Sequence, residues 1–223
     1  MDAKKLFARL DADTWFFDLD GTLYSAMNKI SQVFKAKYLE LVMAVYGLDL
    51  AKAEQKLIEL QFKHKTRLMR PALVRDGVPI GIISSFTAFR IDAKKLGIAL
   101  PRKRRENLLA AVGERIVLTN SPESYAWQML SALGVGDLFA QVIGAESMDN
   151  GRVFKPECGA YNALIVALGN GRRVVLVDDE EPNLDAAVEI SHAIGNVAVS
   201  NLVTILVGNK PKSSTHLNIA HLD

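Results

Sequence analysis

Trp15-Phe16-Phe17-Asp18-Leu19-Asp20-Gly21-Thr22-Leu23-Tyr24 carries two carboxylates, two positions apart, at the point where an apolar run stops. Alternate side chains of a strand share a face, so Asp18 and Asp20 share one only if extended geometry persists past the strand end. Gly21 permits a sharp departure there. One Asp-Gly pair alone is most often a turn. Two unpaired acids are costly to bury, however, and open α/β folds bind ligands in the crevice beyond the carboxyl ends of their parallel strands. The stretch therefore predicts a strand that ends in a site.

Three further segments have the same grammar. Ile116-Val117-Leu118 is an apolar run ending in Thr119-Asn120-Ser121-Pro122; Val174-Val175-Leu176-Val177 ends in Asp178-Asp179-Glu180-Glu181; and Phe154-Lys155-Pro156 supplies a cation just before a periodic segment. Taken singly, these are an ordinary helix N-cap, an acidic first helical turn and a solvated lysine. Taken together, three strand ends and one loop deliver acids, a hydroxyl, an amide and one lysine.

This set, in this order, resembles the four motifs of the haloacid dehalogenase superfamily, most of whose members are phosphatases. The motifs extend from Asp18 to Asn183. Phe17-Asp18-Leu19-Asp20 with Thr22-Leu23-Tyr24, Leu118-Thr119-Asn120, Lys155-Pro156, and Val177-Asp178-Asp179 with Asn183-Leu184 look like the pyrimidine 5'-nucleotidase branch. Gly21 stands where that branch commonly has Asn, and Glu180-Glu181-Pro182 where it commonly has a Ser-containing turn.

The chemistry follows from the residue types as well. Asp18, Asp20, Asp178 and Asp179 on one site would repel each other and a phosphate dianion, so a divalent cation is needed. All-oxygen ligation suits Mg²⁺. Zinc is disfavoured: Cys158 is the only cysteine, and His64, His192, His216 and His221 lack ligand spacing. Asp18 is the natural nucleophile, forming an aspartyl-phosphate, and Asp20 the acid and base that serves the leaving alkoxide and then the hydrolytic water. Thr119 and Asn120 are expected to hold phosphate oxygens through hydroxyl and backbone or amide donors, and Lys155 to neutralise charge on Asp18 and the phosphoryl group. The resemblance implies the same roles, and implies that Asp20 meets the metal through its backbone carbonyl. One or both of Asp178 and Asp179 should bind the metal. A dehalogenase needs no second acid, so Asp20 favours phosphoryl transfer.

The chain has 223 residues, enough for one α/β domain plus an insertion. Its expected fold is a doubly wound parallel sheet, the Rossmann-like core of that superfamily, with an inserted all-helical cap. Residues 1–27 and 111–223 form the expected core and 28–110 the cap. Within the interval, Val33, Phe34, Tyr38, Leu41, Val42 and Val45 recur at helical spacing up to Gly47. A second helix is expected over Ala51 to Met69, stopped by Pro71, and a third over Ser85 to Leu96, ending at Gly97. Arg104 to Val112 leads back to the core. A helix over Asn183 to Ala193, a strand over Val203 to Val207 and a turn at Gly208-Asn209-Lys210-Pro211 complete the sheet, and the tail to Asp223 either docks or stays mobile.

Charge is divided unevenly. Residues 28–110 hold 17 Lys or Arg against 7 Asp or Glu, although the whole chain is only +2. A basic lid over an acidic core would attract anionic esters. Lys63-His64-Lys65-Thr66-Arg67 and Pro101-Arg102-Lys103-Arg104-Arg105 lack interleaved aromatics, so no nucleic-acid partner is expected. No apolar run reaches bilayer length, Met1 to Leu10 is too charged for a signal peptide, and a single cysteine excludes an internal disulfide, which together predict a cytoplasmic protein without a membrane role. Cys158 is expected to be a small packing residue. The expected partner is a small phosphorylated metabolite, a nucleoside 5'-monophosphate (pyrimidine) before phosphoglycolate or a sugar phosphate. The other class is a silent binding protein on the same fold. Tyr24, Ser25 and Met27 are candidates to face the leaving group, and Tyr46, Phe62, Phe86 and Phe89 to stack on a base. Sequence leaves monomer and homodimer undecided.

Overall fold

Asp18 directly follows β1 (Thr14–Phe17), a strand in the interior of a six-stranded, all-parallel sheet in a computed structural model that describes residues 2–24, 27–88, 90, 92, 102–208, 215–220 and 222. The other strands are β2 (Glu114–Leu118), β3 (Gln141–Ile143), β4 (Val174–Asp178), β5 (Leu202–Val207) and β6 (Leu217–Ile219), in the order β3-β2-β1-β4-β5-β6. Strand order reverses at β1, where the chain departs first to β2 and returns on the opposite side as β4; such a switch point opens a crevice at the carboxyl edge. Register does the rest. Phe17 is opposite Val117 on one side and Val177 on the other, so Asp18 falls level with Asp178, and Thr119 follows one residue beyond the level of Leu118.

Every residue of β1 and β4 is buried, as expected for parallel strands covered on both faces. Trp15, Phe17, Val117, Val175 and Val177 face α1 (Ala3–Phe7), α6 (Arg102–Ala110) and α7 (Glu123–Ala132), whereas Phe16, Ile116, Leu118, Val174 and Leu176 face α8 (Asn162–Gly169) and α9 (Glu181–Ile194). The alternation of Trp15, Phe16 and Phe17 between two cores is the period-two pattern of a strand read in three dimensions. A short α10 (Asn196–Asn201) leads into β5.

The insertion is helical in its described part: α2 (Met27–Tyr46), α3 (Leu50–Lys63), α4 (Met69–Arg75) and α5 (Ile80–Thr87). They share a core of their own, including Leu41, Val42, Ala53, Leu57, Leu60, Leu73 and Ile83. Asp49 caps α3 by accepting from the Lys52 N–H at 2.9 Å. The single helix expected over Ala51 to Met69 is instead two. Lys65 adopts a φ of 49° just after α3, and Phe62 is 87% exposed rather than part of an apolar stripe. Pro71 does not stop a helix; it sits in the first turn of α4, where its missing N–H costs nothing. The third helix begins earlier than expected, at Ile80, while Leu96 and Gly97 lie outside the described residues, as do Asn209 to Pro211.

The expected cap interval closed at residue 110, but α6 packs with the core: Leu108 is fully buried there beside Leu6 and Phe7. Arg104 donates to the Leu23 carbonyl at 2.8 Å and Asn107 to the Leu222 carbonyl at 2.7 Å, tying α6 to the loop after β1 and to the C-terminal segment. Arg105 pairs with Asp137 at 2.6 Å, so part of the second basic run is spent within the chain. Cys158, expected to pack, is exposed on a short 3-10 turn. Among the described residues, no helix is long and apolar enough to cross a membrane.

Candidate active site

Lys155 is the hub of the carboxyl edge. Its Nζ donates to Asp18 Oδ1 at 2.9 Å and to Asp178 Oδ2 at 2.6 Å, and all three side chains are buried. Asp178 accepts more protein hydrogen bonds than the other acids of this edge. The Glu180 N–H reaches its Oδ1 at 2.9 Å, and Asn183 Nδ2 bridges both oxygens at 3.0 and 3.1 Å. Burial alone would drive the Lys155 amine toward neutrality, but Asp178 and Asp18 outweigh it and hold the ammonium charged. Burial pushes the Asp18 carboxyl well above its usual range; Lys155 opposes this, and the neighbouring Asp178, Asp179 and Asp20 reinforce it.

Asp179 has fewer partners. Thr22 Oγ1 donates to its Oδ1 at 3.3 Å, and burial, followed by Asp178 and Glu180, pushes its carboxyl up to about 6. Gly21 makes room for it. At a φ of 99°, a Cβ on residue 21 would lie 2.2 Å from Asp179 Oδ2. Carboxylate oxygens of Asp18, Asp178 and Asp179 lie within 4.8 Å of one another. One ammonium for three clustered acids leaves negative charge uncompensated, and hard oxygen donors at this spacing fit a hard divalent cation.

The Asp20 carboxylate is outside that cluster and turned to hydroxyls. Ser121 Oγ donates to Oδ2 at 2.6 Å; Tyr125 donates to Oδ1 at 2.7 Å, and Tyr24 donates to the same oxygen. The two phenols also touch each other. Burial, then the charge of Asp20, raises both phenol pKa values, so both remain protonated donors. Charge-assisted donors on each oxygen fix the carboxylate's orientation.

After β2, the Thr119 hydroxyl accepts from the Ser121 N–H at 3.1 Å. Asn120 is used as a brace: its Oδ1 accepts from the Lys155 N–H at 2.8 Å and its Nδ2 donates to the Lys155 carbonyl at 3.0 Å. The amide offered by the sequence as a phosphate ligand is thus committed to holding the lysine loop. Asp18, Asp20, Thr119, Asn120, Lys155, Asp178 and Asp179 all line one cavity of about 290 Å³. Its opposite wall comes from the cap: Ile30, Phe34 and Tyr38 from α2, Leu68, and Met69, Arg70 and Pro71 from α4.

Residues 12–190 match the haloacid dehalogenase-like hydrolase family. The chain belongs to that family. Solved structures similar to this hydrolase include an HAD phosphatase from Thermococcus onnurineus, with a TM-score of 0.59 and 16% identity over 94% of each chain. The UTR4 protein of Saccharomyces cerevisiae gives 0.55 and 12% identity, covering 96% of this chain and 99% of its own. The L-2-haloacid dehalogenase PA0810 gives 0.50 and 13% over 95% of each. Comparison with curated proteins finds no match. Phosphatase and dehalogenase share the fold at these identities, so the choice between them falls to the side chains.

In this hydrolase, the aromatics offered as base stackers are elsewhere. Tyr46 donates to Asp76 Oδ2 at 2.8 Å within the cap, Phe62 is in solvent, Phe86 packs on the cap core, and Phe89 lies outside the described residues. Tyr24 is buried on Asp20; Ser25 is outside the described residues and Met27 begins α2. The cavity aromatics are Phe34 and Tyr38, with ring centroids 6.4 Å apart. Ser121, Tyr125 and Arg70 went unnoticed as site residues in the sequence. The only local signal is that Ser121 and Tyr125 are four positions apart around the start of α7, a spacing that faces one side.

Proposed function

We propose that this hydrolase is a Mg²⁺-dependent phosphomonoesterase acting through an aspartyl-phosphate. The observation that carries the reading is Asp20: a second carboxylate, beside Asp18 in one cavity and held by three hydroxyls, is what an alkoxide leaving group needs and a halide does not. Asp18 attacks phosphorus as the ester P–O bond breaks, and the alcohol oxygen takes its proton from Asp20. The Asp20 carboxylate then removes a proton from water, which attacks phosphorus, breaks the bond to Asp18 and releases inorganic phosphate. Lys155 balances charge on Asp18, and the Thr119 hydroxyl with the Asn120 backbone N–H receives phosphoryl oxygens. Asp18, Asp178 and Asp179 would hold the metal, with Asp179 the ligand least committed to protein donors. When bound, Mg²⁺ supplies charge neutralisation to the phosphoryl group.

The resemblance of the motifs supports a nucleoside 5'-monophosphate, pyrimidine before purine, as substrate, and the basic cap suits any anionic ester. A cavity of about 290 Å³ favours a second reading, a smaller ester such as phosphoglycolate or a sugar phosphate, because it sits at the low end of the ~300–1,000 Å³ usual for small-molecule sites. Phosphate release from a panel of esters, with Mg²⁺, with EDTA and with Asp18→Asn, tests the activity. Metal-dependent release that drops at least ~1,000-fold in the variant is expected. Folded, metal-binding protein that releases nothing from any ester would favour a silent binding role.

A further inference from the structure

The two carboxylate oxygens of Asp20 have unlike surroundings. Oδ2 accepts from Ser121 Oγ at 2.6 Å, and Asp20 and Ser121 both line the cavity. Oδ1 accepts from Tyr125 at 2.7 Å and from Tyr24, two phenols that are each 2% exposed and are not among the described residues of the cavity wall. A carboxylate oxygen has two lone pairs, so two phenol donors fill Oδ1. The oxygen left with room for a substrate's proton is Oδ2.

Each donor is anchored independently of Asp20. Tyr125 is in the first turn of α7, and Phe34 of α2 packs against its ring with centroids 4.9 Å apart. Tyr24 closes the turn after β1: its carbonyl accepts from the Gly21 N–H at 3.2 Å, and Arg104 holds the neighbouring Leu23 carbonyl at 2.8 Å. Ser121 is pinned through its backbone, its N–H donating to Thr119 Oγ1 at 3.1 Å and its carbonyl accepting from the Ala145 N–H at 2.9 Å. Turning the carboxylate toward Asp18, Asp178 and Asp179 would break both phenol bonds at once, and hydrogen bonds to an ionised group are the strong ones.

We propose that Tyr24 and Tyr125 are positioning residues: the phenol pair occupies Oδ1 of Asp20 and thereby makes Oδ2 the atom through which the leaving-group proton passes. This rests on the phosphomonoesterase reading above and applies to any alcohol leaving group, nucleoside or smaller. As Asp18 bonds to phosphorus and the ester P–O bond breaks, the proton on Oδ2 goes to the departing alcohol oxygen. Oδ2 is then the bare oxygen that takes a proton from the attacking water. The phenols keep their own protons throughout.

The test compares kcat/KM, which reports the steps up to departure of the alcohol, for UMP, ethyl phosphate and p-nitrophenyl phosphate in wild type, Tyr125→Phe and Tyr24→Phe. The first two esters release an alkoxide that needs a proton; p-nitrophenolate leaves without one. Each variant should lower kcat/KM for UMP and ethyl phosphate at least ~10-fold and for p-nitrophenyl phosphate less than about threefold. In an Asp20→Asn background, adding Tyr125→Phe should change none of the three further, because the phenol acts through Asp20. An equal fall for all three esters in either variant would mark a merely structural role, and no fall for the alkyl esters would mark no role; each overturns the assignment, as does a further loss in the Asp20→Asn background, and each leaves the phosphatase reading standing. Absence of release from p-nitrophenyl phosphate and the other esters by wild type overturns the phosphatase reading, and this inference with it.

Discussion

The two walls of the cavity are built from opposite resources. On the core wall, polar groups at strand ends are bound to one another: Lys155 to Asp18 and Asp178, Asn183 to Asp178, Asn120 to the Lys155 backbone, Ser121 and Tyr125 to Asp20. On the cap wall, Ile30, Phe34, Leu68, Met69 and Pro71 present mostly apolar surface, with Ser31, Tyr38 and Arg70 as the polar side chains. Parallel strands in register fix the core groups through the backbone, whereas the cap groups depend on how four helices pack.

Lys155→Met breaks the core wall most directly. The variant leaves Asp18 and Asp178 buried without their cation, for which the expected loss is about 3–5 kcal/mol in urea denaturation of metal-free protein. A loss below about 1 kcal/mol would mean that the two acids share a proton instead of needing the lysine, and the contrast between a charged core wall and an apolar cap wall would weaken.

Two glycines sharpen the contrast further. Gly21 and Gly77 both have positive φ, 99° and 91°, yet a Cβ at Gly21 meets Asp179 Oδ2 at 2.2 Å and one at Gly77 meets nothing within 4 Å. Alanine at Gly77, in the cap, should cost only the backbone strain, about 1 kcal/mol. Alanine at Gly21 should cost about 1–3 kcal/mol and displace Asp179, so that added Mg²⁺ no longer raises the Tm. Equal effects at the two positions would show that the loop after β1 yields as easily as a cap turn.

Legibility in the sequence follows the same division. Asp18, Thr119 and Asp178 each stand where an apolar run stops, so they are visible one strand at a time, and parallel register then brings Asp18 level with Asp178 and Thr119 one residue beyond. β3 and β6 have only three residues each, too few for a period-two signal, and both lie at sheet edges with one end exposed or half-exposed. The break between α3 and α4 is set by the positive φ of Lys65, which nothing in a lysine announces. Asn120 binds a backbone 35 residues away and Arg70 a carboxylate 76 residues away, so their partners exist only after separate elements have docked. The α6 boundary escaped for a related reason: a run as basic as Arg102 to Arg105 hides the burial of Leu108.

The smallest expected effect lies wholly within the cap. Asp76 accepts from Lys63 Nζ at 2.6 Å and from Tyr46 at 2.8 Å, with His64 Nε2 at 3.3 Å; the hydrogen bond from Lys63, against the opposing effect of burial, holds its carboxyl down to about 2. Because the folded value lies below the unfolded 3.8, its stabilisation is complete above the unfolded value and is lost as pH falls from there through about 2. Lys63 is largely exposed, and screening reduces the effect to on the order of 1 kcal/mol. Denaturation of wild type and Asp76→Asn should therefore differ by about that much at pH 6 and converge near pH 2. A difference that persists at pH 2 would assign the effect to hydrogen-bond geometry with Tyr46 rather than to charge. The sign is the opposite of that for Asp18 and Asp179, whose values burial raises, so acid withdraws stability from the cap node while relieving repulsion on the core wall.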